Sequence, residues 1–277
     1  VGNADVKHVD TLTVRRFVNT HRSILYGMML GDASINPRGK KAMMELGHSE
    51  AQKEYVFYKY DLLKPMVRAA PKMIMSSVNG KEWPTWRFRT SGDVEWQKLW
   101  SIFHENCRVE HYSNGTRKLY KTVNQRILDQ LDDHGMAIWF MDDGSSSHKY
   151  RKDKLKVVNH NVKLCTHGYT EEENKLISGW LDLRYGISSV VYKDKNYLKD
   201  GTLRVYFNIY FRWKDWRDKM APRLEQYFVP SLRHKLGSPQ DKGRLEAESM
   251  IRSEPAGNSG SHLEIGDRQN LGSGQLK

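Results

Sequence analysis

One plan is written twice along this chain of 277 residues. A short apolar run with helical spacing, LYGMMLGDAS from Leu25 to Ser34, carries glycines four apart, Gly27 and Gly31, and ends on a carboxylate, Asp32. A second such run, MAIWFMDDG from Met136 to Gly144, ends on Asp143, 111 positions later. Behind each run the same series follows: hairpin, helix, hairpin, helix. A plan repeated at this length predicts a pseudo-twofold molecule, because each copy buries its apolar face against the other. The offset drifts to 117 positions between Trp96 and Trp213, so the copies differ by insertions.

The local signals behind that series are specific. In the first copy a turn at Pro37-Arg38-Gly39 predicts one hairpin and Asn79-Gly80 another. Between them SEAQKEYVFYKYDLLKPMV opens on a Ser/Glu capping signal and spaces Tyr55, Tyr58, Leu62 and Leu63 as a helix does. GDVEWQKLWSIFHEN is a helix with Trp96, Leu99, Trp100 and Phe103 on one face. In the second copy KLKVVNHNVKLCTH supplies strand. TEEENKLISGWLDLRYG reads as a helix with Thr170 and Glu173 in capping-box positions and Gly186 as its stop. Asp200-Gly201 marks the last hairpin, and a closing helix is broken near Pro222. The tryptophans of the amphipathic helices, including Trp213 and Trp216, read as core rather than as platforms for stacked bases.

The two acids break a local rule at matching places. The C-terminal end of a helix is its negative pole, so a carboxylate there costs a few tenths of a kcal/mol or more. Rules broken in this way mark functional sites. A divalent cation reverses the sign of the argument, since carboxylates and terminal carbonyls are the hard oxygen ligands that Mg²⁺ takes. The candidate donors are Asp32 and Asp143, with the Gly31 carbonyl and Asp142 beside them. Gly27 and Gly31 let a second backbone approach closely. Two such helices side by side would bring both acids to one place, the layout for metal-assisted phosphodiester hydrolysis. The partner run offers only Ala137 and Met141 at that spacing.

LYGMMLGDA and MAIWFMDDG resemble the paired signature helices of the LAGLIDADG homing endonucleases, in the single-chain, two-motif form encoded by mobile introns. Leu25, Gly27 and Asp32 keep signature letters in the first run, and the likeness spans most of residues 20–237. The resemblance implies an α/β fold of two αββαββα halves with the motif helices at their interface. It divides the chain into an N-terminal extension (1–20), a first half (21–132), a second half (133–237) and a tail. It also implies that Asp32 and Asp143 bind the catalytic metal. Asp142 departs from the usual small residue and either assists or points to solvent. A basic residue near each metal site polarises water in that family. YKTVNQRIL resembles the segment carrying one and points to Lys121, with Lys118 as fallback; LRHKLG points to Lys235. Each lysine could instead contact phosphate.

Such a protein would cut both strands of a long asymmetric duplex site as a monomer. Some relatives are maturases that bind their host intron RNA. DNA contacts would come from alternate residues of the hairpin strands, read in the major groove. In the first half these are Ser34, Asn36, Arg38, Lys40, Arg87 and Arg89. In the second they are Lys154, Lys156, Asn159, Lys163, Tyr192, Lys193, Lys195, Arg204 and Asn208. Strand phase decides which of them face the groove.

Composition agrees with a polyanion partner: the formal charge is +12. The last forty residues hold five Lys/Arg against six Asp/Glu and no aromatic residue, so the excess of positive charge lies in the body. That segment reads as disordered, with a marginal helix near residues 245–251. No apolar run approaches the ~20 residues of a membrane span, and no secretory h-region opens the chain. The two cysteines, Cys107 and Cys165, form no metal-binding spacing, and neither do the histidines, His48 among them.

Overall fold

A computed structural model describes residues 9–237, except 79, 112–114, 152–155, 198–200 and 202. The tail with its marginal helix, and Lys154, lie outside the described residues.

The chain enters through helix α1 (Thr11–Thr20), capped by Asp10, whose side chain accepts from the Thr13 amide. This part of the N-terminal extension buries Val14 and Phe17 in the core. Helix α2 (Arg22–Leu30) is the first motif helix and is buried from Leu25 to Leu30. Strands β1 (Ser34–Arg38) and β2 (Lys41–Ser49) form the first hairpin, and α3 (Lys53–Leu63) follows. Strands β3 (Lys72–Val78) and β4 (Lys81–Arg89) form the second hairpin, and α4 (Val94–His104) packs Trp96, Leu99 and Phe103 inward. The sheet order is β1-β2-β4-β3, antiparallel throughout.

A small pair absent from the sequence reading, β5 (Val109–His111) with β6 (Arg117–Leu119), leads through α5 (Gln125–Leu128) to the second motif helix α6 (Asp133–Asp143). The second half repeats the first: β7 (Gly144–Arg151), β8 (Lys156–Leu164), α7 (Glu171–Tyr185), β9 (Ser189–Tyr197) and β10 (Leu203–Phe211). Their sheet order, β7-β8-β10-β9, matches the first. The capping box of α7 is present with both of its hydrogen bonds, and Gly186 ends the helix at φ +63°, a conformation that favours glycine. The closing helix is interrupted by a π turn (Trp216–Met220) ahead of Pro222, whose ring and missing N–H prevent a continuous ladder. Trp96 and Trp216 are fully buried, and Trp100 and Trp213 pack against the core.

The two motif helices lie side by side and run parallel. At their starts, the Ser23 hydroxyl donates to Asp132 Oδ1 at 2.5 Å and accepts from the Asp132 amide at 2.8 Å. The close approach is made by Gly27 and Gly135: a Cβ on Gly27 would sit 2.1 Å from the Gly135 carbonyl oxygen. The partner glycine is therefore Gly135, not the position of Ala137. Each half also braces the other's motif helix. The Tyr55 hydroxyl donates to the Ile138 carbonyl and the Tyr169 hydroxyl to the Leu30 carbonyl, each at 3.0 Å.

Candidate metal centre and nucleic-acid faces

Because α2 and α6 are parallel, their negative C-terminal poles meet at one end. Two lysines answer them. Lys121 Nζ donates to the carbonyls of Gly31 (2.7 Å) and Ala33 (2.8 Å), and Lys235 Nζ to those of Met141 (2.5 Å) and Asp142 (3.1 Å). Orphan carbonyls at a helix end need donors, and an ammonium suits their charge. Burial pushes Lys121 down to about 8 and lowers Lys235, against the pull of the carboxylates around them. Lys118 sits instead on β6, exposed, with its ammonium over the Tyr120 ring. The Gly31 carbonyl, a candidate metal ligand, is an acceptor for Lys121.

Three carboxylates crowd this end. Asp32 follows the cap of α2, and its side chain is half exposed. Burial and the charge of Asp142 raise its pKa. Asp143 closes α6 and accepts from Trp139 Nε1 at 3.2 Å; burial, then Asp142 and Asp32, push it up to about 7. Asp142 does not point to solvent. Its side chain is fully buried, folded over Gly31 into the first half, where Gly31 leaves room for it. There its Oδ1 accepts from Lys59 Nζ at 2.6 Å and its Oδ2 from the Asp32 amide at 3.2 Å. Both oxygens of Asp142 thus already serve protein donors.

Two residues that the sequence reading did not assign complete the site. His48, at the end of β2, is buried with Nδ1 3.6 Å from Asp32 Oδ2 and Nε2 3.0 Å from Lys59 Nζ. Lys59, in α3, is fully buried. Burial, then the Lys59 charge, holds His48 down to about 4. Asp32, His48 and Asp142 present ligand-type atoms within 4.8 Å of one another. The residues fit a divalent cation on charge grounds: Asp32 and Asp143 are raised by burial and by the charge of Asp142 between them, a cost that a bound cation relieves. They are also the hard oxygen donors Mg²⁺ takes.

Strand register settles which candidate DNA contacts share a face. Ser34 pairs Glu45, which pairs Arg89, and Gly47 pairs Arg87. Ser34, Asn36, Arg38, Arg87 and Arg89 therefore lie on the face opposite buried Ile35, Met44, Leu46 and Phe88. Lys40 is in the exposed turn. That face also carries an acid: Glu45 Oε1 lies 3.5 Å from Arg87 Nη1. In the second sheet Lys163 pairs Tyr210, and Tyr192 pairs Asn208, so these and Arg204 share the open face. Lys193 and Lys195 pair Phe207 and Val205 and lie on the other face, contrary to their grouping with Tyr192. Asn208 is on the open face yet fully buried, its Nδ2 donating to Asp194 Oδ2 at 2.5 Å, so it is not available as a base reader. Lys156 and Asn159 lie in β8.

Comparison with known proteins agrees with this architecture. The profile of the LAGLIDADG DNA endonuclease family matches residues 22–217. A Mycosarcoma maydis protein named probable intron-encoded DNA endonuclease 3 is 30% identical over 150 residues, 54% of this chain and 90% of its own length. The cytochrome b mRNA maturase bI2 of Debaryomyces hansenii is 28% identical over 221 residues, 78% of this chain and 72% of its own. Among solved structures, the homing endonuclease I-WcaI bound to its DNA recognition sequence superposes with a TM-score of 0.58 at 20% identity, covering 83% of this chain and 94% of that one. With two motif helices, two matched sheets and paired acids, the chain belongs to the LAGLIDADG DNA endonuclease family.

Proposed function

We propose that this homing-endonuclease family member works as a monomer that hydrolyses one phosphodiester in each strand of a long, asymmetric duplex DNA site. The carrying observation is the meeting of Asp32 and Asp143 at the parallel ends of α2 and α6, where burial and neighbouring carboxylates raise both pKa values against the pull of the nearby lysines. These two acids would hold Mg²⁺. When bound, the cation supplies Lewis-acid charge at the scissile phosphate and makes its water acidic. The chain's own groups do the rest. Lys121 and Lys235 pin the helix ends and set a positive field beside the phosphates. The Asp32 amide and Lys59 hold Asp142 in the first half, away from solvent. The open sheet faces bring Arg and Asn side chains to base edges, where Arg pairs with guanine and Asn with adenine.

The test is cleavage of duplex DNA spanning the intron-free insertion site. Wild type is expected to cut both strands with Mg²⁺ and neither with EDTA. Asp32→Asn and Asp143→Asn are each expected to abolish double-strand cleavage while keeping DNA affinity. Full-rate cutting of both strands by either variant would refute the assignment.

The likeness to the Debaryomyces maturase supports a second reading, in which the same fold binds intron RNA and aids splicing. Tight binding of the host intron RNA, with no cut at the insertion site, would select it.

A further inference from the structure

Lys59 makes three contacts with its ammonium. It donates to Asp142 Oδ1 (2.6 Å) and to His48 Nε2 (3.0 Å), and it lies 4.3 Å from the centre of the Tyr55 ring. An ammonium has three donors and no acceptor. A contact this short to a carboxylate is charge-assisted, so Lys59 carries its proton. The imidazole nitrogen facing it must then accept, which leaves Nε2 bare and puts the ring hydrogen on Nδ1. Nδ1 is the atom that faces Asp32 Oδ2, at 3.6 Å.

We propose that Lys59 is a positioning residue: through Asp142 on one side and His48 on the other, it sets the His48 tautomer so that Nδ1–H is aimed at the Asp32 carboxylate. The chain of contacts runs Asp142–Lys59–His48–Asp32 and crosses the interface between the halves. It gives His48 a definite role. With Nδ1 protonated and Nε2 taken by Lys59, the ring turns the positive end of an N–H dipole toward the Asp32 carboxylate at 3.6 Å and has no free lone pair to offer a metal. Such outer contacts commonly matter 10–100-fold, roughly, to affinity or activity.

The device belongs to one half only. Ser34 pairs Glu45, and Ser145 pairs Lys163, so the position three residues on is His48 in the first half and Thr166 in the second. Thr166 bonds the Asn174 side chain of α7, with neither imidazole nor ammonium in that bond. Asp32 and Asp143 are therefore held by different chemistry, and loss of Lys59 should act on one strand more than the other. This strand effect rests on the endonuclease reading; the tautomer does not.

The deciding experiment uses the metal-free, DNA-free full chain with ¹⁵N-labelled histidine. Long-range ¹H–¹⁵N spectra should show His48 with Nδ1 protonated and Nε2 bare. In Lys59→Met the ammonium that makes Nε2 accept is gone, and Asp142 Oδ1 lies as far from Nε2 as Asp32 Oδ2 from Nδ1, 3.6 Å each, so a form with the hydrogen on Nε2 should become populated. A wild-type ring protonated on Nε2, or an unchanged ring in Lys59→Met, would overturn the proposal. Strand-resolved nicking supplies the second readout, and it stands alone if Lys59→Met does not fold. His48→Asn keeps an N–H donor at the Nδ1 position and should stay within a few-fold of wild type. His48→Ala should slow, by about 10-fold or more, the same strand that Asp32→Asn slows most. Equal effects of Asn and Ala, or equal slowing of both strands, would also overturn it. If wild type cuts no target, the endonuclease reading fails and the spectra still decide the tautomer.

Discussion

Asp32 and Asp143 carry their charge where two helix dipoles already point negative ends. Both acids could be read from the residues because the same misplacement occurs twice. The burial of Asp142 and the places of His48 and Lys59 could not. Asp142 stands one place from a motif acid and reads as a candidate donor with no sign of its direction, and Gly31, which admits its side chain, reads as a packing notch and a carbonyl ligand. His48 and Lys59 lie eleven residues apart on a strand and a helix, and nothing in their spacing marks a pair. A histidine at the other end of the motif helices yields a prediction on pH. His134 Nε2 lies 2.7 Å from the Tyr58 hydroxyl and its ring stacks on Tyr227 with centroids 4.5 Å apart. Burial lowers its pKa from 6.5, against the charge of Asp132 and with that of His21. A histidine lowered by folding contributes stability that is present above pH 6.5 and is lost as pH falls through the folded value. Urea midpoints should therefore fall more between pH 7.5 and pH 5 for wild type than for His134→Gln. Equal falls would contradict the assignment.

At the scale of elements, most of the helix and hairpin series was legible, since turn and capping signals are local. The α7 capping box and the Gly186 stop occur where the residues place them. The β5–β6 pair and the partner of Gly27 were not legible, because each depends on what lies across the gap. The helix interface makes a sharp prediction. Gly27→Ala would drive a Cβ into the Gly135 backbone, so the helices must part. Overpacking of this kind costs about 1–3 kcal/mol, more than the ~1 kcal/mol that alanine gains in helix propensity. Gly179, exposed within α7, has nothing within 4 Å of its Cβ position. Gly179→Ala should stabilise by about 0.5–1 kcal/mol. Denaturant unfolding of the two variants should show opposite signs. Strand phase predicts a second contrast. Arg89→Ala, on the open face, should cost about 1–3 kcal/mol of DNA affinity with relaxed specificity at one base pair. Lys195→Ala, on the other face, should change affinity slightly and alter no base preference. Competition binding against single-base target variants reads both.

For the molecule as a whole, charge is the governing quantity. A body carrying all of the +12 excess, with arginines on the open face of each sheet, should bind duplex DNA mainly through phosphates. Affinity is then expected to fall by about 10³-fold or more between roughly 50 and 200 mM salt. A flat response in filter binding or anisotropy would argue against an electrostatic interface. The duplicated plan, the helix and hairpin series of each half, the basic character and the placing of an acid at the end of each motif run were determined by the sequence itself, because period, turn chemistry and net charge are properties of the chain in order. Only the tertiary structure decided that Gly135 faces Gly27, that Asp142 turns inward, that Asn208 is spent on Asp194, and that Lys59 and His48 stand behind Asp32. Each of those facts depends on two surfaces meeting across many residues, where packing and the cost of burying an unpaired charge choose the partner.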